Sequence, residues 1–235
     1  MPLLGFSPVN RLMAALPAVS RARDKCELVR LSSGDVLTEP GDRIRAVFFP
    51  AGGLISLAAV VDGGASIEIA LIGRTGMLGA PLMLNAVSAS SRARVQVSGA
   101  AWRMGVVEFR RALLDHVALR RGLNHYLRGL IAELSQNSAC ARFHPIEARL
   151  ARRLLTAQDQ SSDGNIHLTH GALAQILGVR RSGVTTAAVQ LQRRGLIEYS
   201  RGGITILDRS GLERASCACS RSGSGATVSV DVSIP

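Results

Sequence analysis

Short apolar runs separated by turn residues fill the first part of the chain. Between Cys26 and Met104 the turn signals are Ser33-Gly34-Asp35, Pro40-Gly41-Asp42, Pro50-Ala51-Gly52-Gly53 and Asp62-Gly63-Gly64. This spacing predicts an antiparallel all-β unit. The clearest hairpin joins residues 54–61 to 66–72, because the intervening glycines can adopt the positive φ that a tight turn needs.

The second strand of that hairpin alternates in polarity. Its apolar residues Ile67, Ile69 and Leu71 alternate with Ser66, Glu68 and Ala70. A strand with this period-two pattern predicts one buried face, here the one with the isoleucines and leucine, and one partly wet face.

After Trp102 the periodicity becomes helical. Residues 107–114 predict a short helix, and Asp115 is an N-cap candidate for a longer one. The longer helix is expected to end near Phe143-His144-Pro145, since a residue before proline is pushed out of the α region. Pro145 then suits the first turn of a new helix over 146–155, and residues 10–18 predict a short amphipathic helix at the start of the chain.

Within the long helix, large side chains recur at alternating spacings of four and three. Such a pattern is typical of the seam of a two-stranded coiled coil and predicts a homodimer. The alternative is an amphipathic helix packed on its own sheet, because Gly122 and Gly129 interrupt the pattern. The residues of the predicted seam are Leu119, Leu123, Tyr126, Leu130 and Leu134.

Two short amphipathic helices joined by a glycine follow. Thr169 is a candidate N-cap for a helix over 170–177, and Gly178 supplies the turn. A second helix over about 181–194 has apolar residues at offsets of three, four and seven, which predicts a helix-turn-helix. The predicted buried residues of the second helix are Val184, Ala187, Ala188 and Leu191.

The exposed face of the second helix suits DNA. Arg181 can donate two hydrogen bonds to guanine, and threonines can serve a phosphate or a thymine methyl group. Arg180 is predicted to bind phosphate. Residues 196–200 and 203–207 predict a β-hairpin wing with Arg201 at its basic tip. The candidate DNA-binding residues are Thr169, His170, Arg180, Arg181, Ser182, Thr185, Thr186, Arg193 and Arg201.

Charge agrees with a nucleic-acid partner. The 235 residues carry 28 basic and 17 acidic side chains, a formal net charge of +11, and nearly all the basic ones are arginine. Double-stranded DNA is therefore the predicted partner. The alternative is an arginine-rich proteome in which every surface is basic, since both halves of the chain are basic. The length and the 47% hydrophobic content favour two compact domains.

Other classes of protein fit poorly. No apolar run is long enough to span a bilayer, and no secretory n-region precedes an apolar block, so the cytoplasm is predicted. Cys217-Ala218-Cys219 has too short a spacer for the usual metal knuckle, and the histidines are scattered. No metal, no cofactor and no disulfide framework are therefore expected. No catalytic constellation appears at usable spacing, so an enzyme is not predicted.

The helix-turn-helix segment resembles the Crp/Fnr family of bacterial transcription regulators. The match runs from Leu168-Thr169-His170-Gly171 through Gln175, Gly178 and Arg181 to Leu196-Ile197, and extends into the wing. Upstream, Leu37-Thr38-Glu39-Pro40-Gly41-Asp42 and Gly73-Arg74-Thr75-Gly76-Met77-Leu78-Gly79 stand in the order of the family's cyclic-nucleotide-binding-like jelly roll.

The resemblance implies an α+β architecture. It places a β-roll sensor over residues 1–114, a dimerisation helix over 115–143 and a winged helix-turn-helix over 144–218. The glycine- and serine-rich composition that follows predicts a flexible tail over 219–235. In the family, the position of Arg181 contacts a base. Ser182 stands where many members carry a glutamate that reads cytosine, so the familiar DNA consensus is not assumed. RNA polymerase is a further candidate partner.

The resemblance also implies a place for an effector. The candidate effector residues are Gly76, Gly79, Arg92 and Arg94. Nucleotide-binding members have a ribose-binding glutamate after the glycine, but Ala80 and Pro81 follow Gly79 here. Cyclic AMP is therefore not the predicted effector, and the identity of the effector stays open. A single amino-terminal cysteine, Cys26, excludes the oxygen-sensing iron–sulfur cluster. The alternative function is a small-molecule-binding module whose winged helix docks a protein partner.

Overall fold

The computed structural model describes residues 10–14, 24–61, 64–160, 166, 168–200 and 203–219. These residues form two compact units. Unit 1 contains the described residues of 10–59 and 70–132, and unit 2 contains those of 60–69 and 133–219. The division passes through a long helix, whereas the sequence places domain boundaries before residue 115 and after residue 143.

Two antiparallel sheets form a β-roll, as the turn spacing predicts. One sheet has the strand order β1-β7-β3 and the other β2-β6-β4-β5. Between them the sheets bury a core that includes Leu31, Ile55 and Val95. Phe49 belongs to a second core, which the roll shares with helices. The strands are β1 (Glu27–Leu31), β2 (Val36–Thr38), β3 (Ala46–Pro50), β4 (Leu54–Val60), β5 (Ser66–Ile72), β6 (Arg92–Val97) and β7 (Gly99–Gly105).

The predicted hairpin is present, but its second strand buries the opposite face. In β5, Ala70 and Ile72 are each 2% exposed, and the Glu68 side chain on the same face is 9% exposed. Ile67 and Leu71 are only half-buried. The prediction was wrong because it assigned the more apolar side chains to the buried face. Glu68 lies on the buried face instead, where its carboxylate pairs with the buried side chain of Arg153 in unit 2.

Among the described residues, three α-helices contribute to unit 1. They are α1 (Arg11–Ala14), α2 (Val106–Asp115) and α3 (Val117–Phe143), the last of which continues into unit 2. The predicted continuation of α1 to residue 18 lies outside the described residues. Asp115 is the last residue of α2 and not the N-cap of α3, because the carbonyl of His116 accepts the first helical hydrogen bond, from the amide of Arg120 at 3.1 Å.

The predicted dimer seam packs on its own chain instead. Leu119 is 1% exposed and Leu123 is 0% exposed, and both join the core of unit 1 with Phe109. The Tyr126 hydroxyl donates a hydrogen bond to the Met77 carbonyl at 3.2 Å. Leu130 packs against the same core, and Leu134 is half-buried. The alternative of an amphipathic helix on its own sheet therefore holds for this stripe, because the β-roll offers it an apolar surface.

Unit 2 is a helical domain with a two-stranded wing. Its core includes Leu150, Leu154, Leu173, Leu191 and Ile197. The sequence patterns did not predict the last helix, which Asp208 caps by accepting a hydrogen bond from the amide of Gly211. The elements are α4 (Ile146–Gln160), α5 (His170–Leu177), α6 (Arg181–Arg193), β8 (Ile197–Ser200), β9 (Gly203–Ile206) and α7 (Arg209–Ala215).

Among the described residues, no helix combines the length and the apolarity needed to cross a lipid bilayer.

Candidate nucleic-acid interface

The helix-turn-helix forms as its local signals predict. The Thr169 hydroxyl accepts the amide of Ala172 at 3.1 Å and caps α5. Gly178 has φ 62° and ends that helix. A Cβ at Gly178 would lie 2.9 Å from Ile67, so a side chain there would meet both backbone strain and a steric clash.

Helix α6 divides into a buried and an exposed face. Val184, Ala187, Ala188 and Leu191 are buried, which confirms the predicted stripe. The opposite face exposes Arg181 and continues along the whole helix. The exposed residues on it are Arg181, Ser182, Thr185, Thr186, Val189, Gln190 and Arg193.

Three arginines of this region project into solvent without a carboxylate partner. In the described part of the chain, no ion pair engages Arg180, Arg181 or Arg193. By contrast, Arg194 at the end of α6 pairs with Glu147. The free guanidinium groups keep their full hydrogen-bonding capacity for an anionic ligand.

His170 joins the helix-turn-helix to the wing. Its ring stacks on Tyr199 with 4.4 Å between the centroids, and its Nδ1 lies 3.1 Å from the Thr185 hydroxyl. Burial, and then the neighbouring Arg181 guanidinium, lower the pKa of His170 below its usual value. A neutral imidazole at this position braces α6 against β8 more than it offers a charge to DNA.

The two threonines predicted to face the groove already use their hydroxyl groups. Thr185 donates to the carbonyl of Arg181 and Thr186 to that of Ser182, each at 3.1 Å. Their lone pairs and methyl groups remain exposed. The remaining exposed side-chain donors of α6 are its arginines, Ser182, Gln190 and Gln192.

The wing is an antiparallel hairpin. Strands β8 and β9 pair from Ile197 opposite Ile206 to Ser200 opposite Gly203. A bridge between Ile166 and Ile204 extends this small sheet. The predicted tip residue, Arg201, lies outside the described residues.

Val189 and Gln190 were missed in the sequence-based list of candidate residues. Val189 is 41% exposed, and Gln190 follows it on the same surface. Their helical offsets from Ser182 and Thr186 would have identified them, but the predicted list took only residues with an obvious DNA-binding role. An exposed valine beside a glutamine can contact a thymine methyl group and an adenine edge, respectively.

The two candidate effector arginines each have a partner within the β-roll. Arg92 pairs with Glu39, with 2.8 Å between Nε and Oε1, and Arg94 Nε donates to the Gly34 carbonyl at 3.3 Å. Both arginines alternate along β6 with the buried Ala93 and Val95, so they lie on the face away from that core.

The two candidate effector glycines serve packing. A Cβ at Gly76 would meet the Tyr126 hydroxyl at 2.9 Å, and one at Gly79 would meet Val47 at the same distance. These close neighbours within unit 1 explain why both positions carry glycine, and the explanation needs no ligand.

The sequence analysis also missed a cluster of potential metal ligands. Cys140, His144, Cys217 and Cys219 come together in unit 2, although the cysteine spacing and scattered histidines predicted no metal site. Cys140 and His144 are separated by four positions at the end of a helix, which places both on one face. That pair was the available signal, and the fold adds the distant Cys-Ala-Cys segment to it.

Comparisons with known proteins agree with this geometry. Residues 148–215 match the family model of the Crp-like helix-turn-helix domain. The matched span begins in α4 and ends with α7, so it includes both helices of the turn and the wing. Among curated proteins, no sequence matches the chain.

Solved structures extend the likeness to most of the chain. A Crp/Fnr-family transcriptional regulator from Thermus thermophilus is 26% identical, with a TM-score of 0.58 over 81% of this chain and 98% of that one. A second regulator of the CRP family from that organism is 20% identical, with a TM-score of 0.69 over 80% of this chain and 96% of its own. FixK2 from Bradyrhizobium japonicum is 15% identical, with a TM-score of 0.69 over 82% and 98%. The chain therefore has the α+β fold of the Crp/Fnr DNA-binding transcription regulators, a β-roll followed by a Crp-like helix-turn-helix domain.

Proposed function

We propose that this protein is a homodimeric regulator that binds specific double-stranded DNA sequences through α6 and the wing. The observation that carries the proposal is the exposed face of α6, whose arginines have no carboxylate partners among the described residues. Crp-like helix-turn-helix regulators bind double-stranded DNA and typically act as dimers, which supports both parts of the proposal.

The residues divide into two roles. Arg181 stands at the first position of α6, where a recognition helix presents its side chains to base edges, and it can bind guanine N7 and O6 together. Arg180 precedes the helix and Arg193 ends it, so both are assigned to phosphates. Ser182, Thr186, Val189 and Gln190 complete the surface that faces the groove.

Base reading by Arg181 has a direct test. Arg181→Ala should weaken binding to a site selected from random duplexes by about 1–3 kcal/mol and relax the preference at one base position per half-site. Arg180→Ala should weaken binding to all sequences about equally, because a phosphate contact carries no sequence information. Electrophoretic mobility shifts on the selected site and on its single-base variants measure both.

The matched control is Arg111→Ala, which removes the same charge from an exposed position of α2. It should leave both affinity and base preference unchanged. A uniform loss across all sequences in the Arg181 variant, equal to that of the Arg180 variant, would contradict base readout.

The dimer is assigned to the solvent-exposed side of α3. Leu119 and Leu123 are in the core of unit 1, whereas Ile131 is an exposed apolar residue at 56%. Two protomers joined this way would present their recognition helices to half-sites about one DNA turn apart.

A charge at the centre of the proposed contact should separate the protomers. Ile131→Arg is expected to shift the sedimentation mass from dimer to monomer, because it buries an unpaired cation in the interface. Leu114→Arg is the control, since Leu114 is 76% exposed on α2, outside the proposed contact. A dimer that persists unchanged in the Ile131 variant would rule out this face.

We propose that the protein is a cytoplasmic regulator without catalytic activity and that its β-roll receives the signal. Since Arg92 is paired with Glu39 and Arg94 lies on the outer face of β6, no cyclic nucleotide is proposed as the signal. RNA polymerase is the partner through which a bound dimer would act on transcription.

A further inference from the structure

Four potential metal ligands meet where α3 ends. Cys140 lies in the last turn of α3 and His144 follows the helix, while Cys217 and Cys219 follow α7. One ligand atom from each side chain lies within 4.8 Å of the other three. All three cysteines are free thiols, buried at 0%, 6% and 6% exposure.

Two distances between the ligand atoms agree with the edges of a tetrahedral zinc site. Cys140 Sγ lies 3.6 Å from Cys217 Sγ, and Cys219 Sγ lies 3.5 Å from His144 Nδ1. Zn–S bonds of about 2.3 Å and Zn–N bonds of about 2.0 Å give tetrahedral edges of about 3.8 Å between sulfurs and about 3.5 Å between sulfur and nitrogen. The sulfur pair is too far apart for a disulfide, whose bond is about 2.0 Å long.

We propose that Cys140, His144, Cys217 and Cys219 bind a single tetrahedral zinc ion. Three thiolates and an imidazole form a donor set that suits a borderline-soft cation and offers no oxygen to a hard one such as magnesium or calcium. Because the protein supplies all four ligands, the ion keeps no open position for a substrate, and its role is structural.

The surroundings suit the charge of such a centre. Three thiolates around a divalent cation carry a net charge of −1, and the guanidinium groups of Arg149 and Arg152 are close enough to interact with the Cys140 thiol. Gln136 Nε2 donates to Cys219 Sγ at 3.1 Å and so orients that ligand.

Burial also favours the protonated form of the Cys140 thiol. It raises the pKa of the Cys140 thiol to about 12, against an opposing effect of Arg152. The thiol is then protonated at neutral pH, and a binding cation must displace its proton.

The ion would link two segments that are distant in sequence. Cys140 and His144 end the helix that enters unit 2, and the two other ligands follow the last helix of the DNA-binding domain. A bridge between them fixes the turn at Pro145, through which α3 passes into α4. Metal binding at this cluster does not depend on DNA binding, because all four ligands belong to unit 2.

The test titrates the 235-residue protein, reduced and freed of metal, with Co²⁺ as a spectroscopic probe. We expect one Co²⁺ per chain, intense visible bands of a tetrahedral ion, and displacement by Zn²⁺. Cys217→Ser should lower the thiolate-to-cobalt charge-transfer absorbance by about one third, because one of three sulfur ligands is lost. Gln136→Leu should weaken zinc affinity about tenfold and leave the charge-transfer intensity unchanged.

The control is Cys26→Ser, which removes the one cysteine of the chain that lies outside the cluster. It should keep the stoichiometry and the spectrum of the wild type. Octahedral, weakly coloured Co²⁺, or no stoichiometric binding by the folded wild-type protein, would overturn the proposal. These wild-type readings hold even if a cysteine variant fails to fold.

Discussion

Replacing Arg153 with methionine is expected to lower the stability of unit 2 by about 3–5 kcal/mol, because it removes the buried guanidinium that pairs with the Glu68 carboxylate. Arg153 Nε lies 3.3 Å from Glu68 Oε1, and the side chains are only 7% and 9% exposed. Burial lowers the pKa of Arg153 from its usual value, although Glu68 acts in the opposite direction, which shows how strongly the guanidinium is desolvated. The urea midpoint of unfolding, followed by circular dichroism, measures the change.

Two variants separate the buried pair from a general loss of arginine. Arg103→Met breaks the pair with Glu27, whose side chains are 44% and 68% exposed, and should cost under about 1 kcal/mol. The double variant Glu68→Leu with Arg153→Met should recover most of the stability, since an apolar pair needs no compensation. If the double variant is as unstable as Arg153→Met, packing and not the unpaired charge explains the loss.

DNA affinity is expected to fall about a thousandfold between 50 and 200 mM salt, because each phosphate contact releases a condensed counterion. Three phosphate-binding arginines in each of two protomers, Arg180, Arg193 and the wing residue Arg201, give six contacts. Removing one contact from each protomer, as in Arg180→Ala, should reduce the slope of log affinity against log salt by about 1.8. Fluorescence anisotropy of a labelled duplex measures the slope.

Arg111→Ala serves again as the control and should leave the salt slope unchanged. The competing function, a winged helix that docks a protein partner, predicts no steep salt dependence for duplex DNA. An affinity that changes less than about tenfold over this range would therefore favour that competing function over phosphate contacts.

The helix-turn-helix could be predicted almost residue by residue. The Thr169 cap, the Gly178 turn and the four apolar offsets in α6 are all local signals, read within one or two helical turns of each other. The hairpins were equally local, since their glycine turns fix the neighbouring strands.

The predictions failed where the sequence had to show which surface one face of a helix or strand packs against. The leucine spacing in α3 is the same whether the helix meets a second copy or its own β-roll, and the structure places Leu119 and Leu123 on the roll. In β5, hydropathy selected the face of Ile67, whereas the buried face is the one that carries Glu68. Neither choice can be made without knowing what surface lies opposite.

The sequence by itself determined the fold class, the helix α6 and its exposed arginines, because periodicity and capping act within a few residues of the chain. Only the tertiary structure decided which stripe of α3 is core, which face of β5 is buried, and that Cys140 and His144 meet Cys217 and Cys219. Those outcomes depend on side chains that are far apart in sequence and become neighbours only when the chain folds.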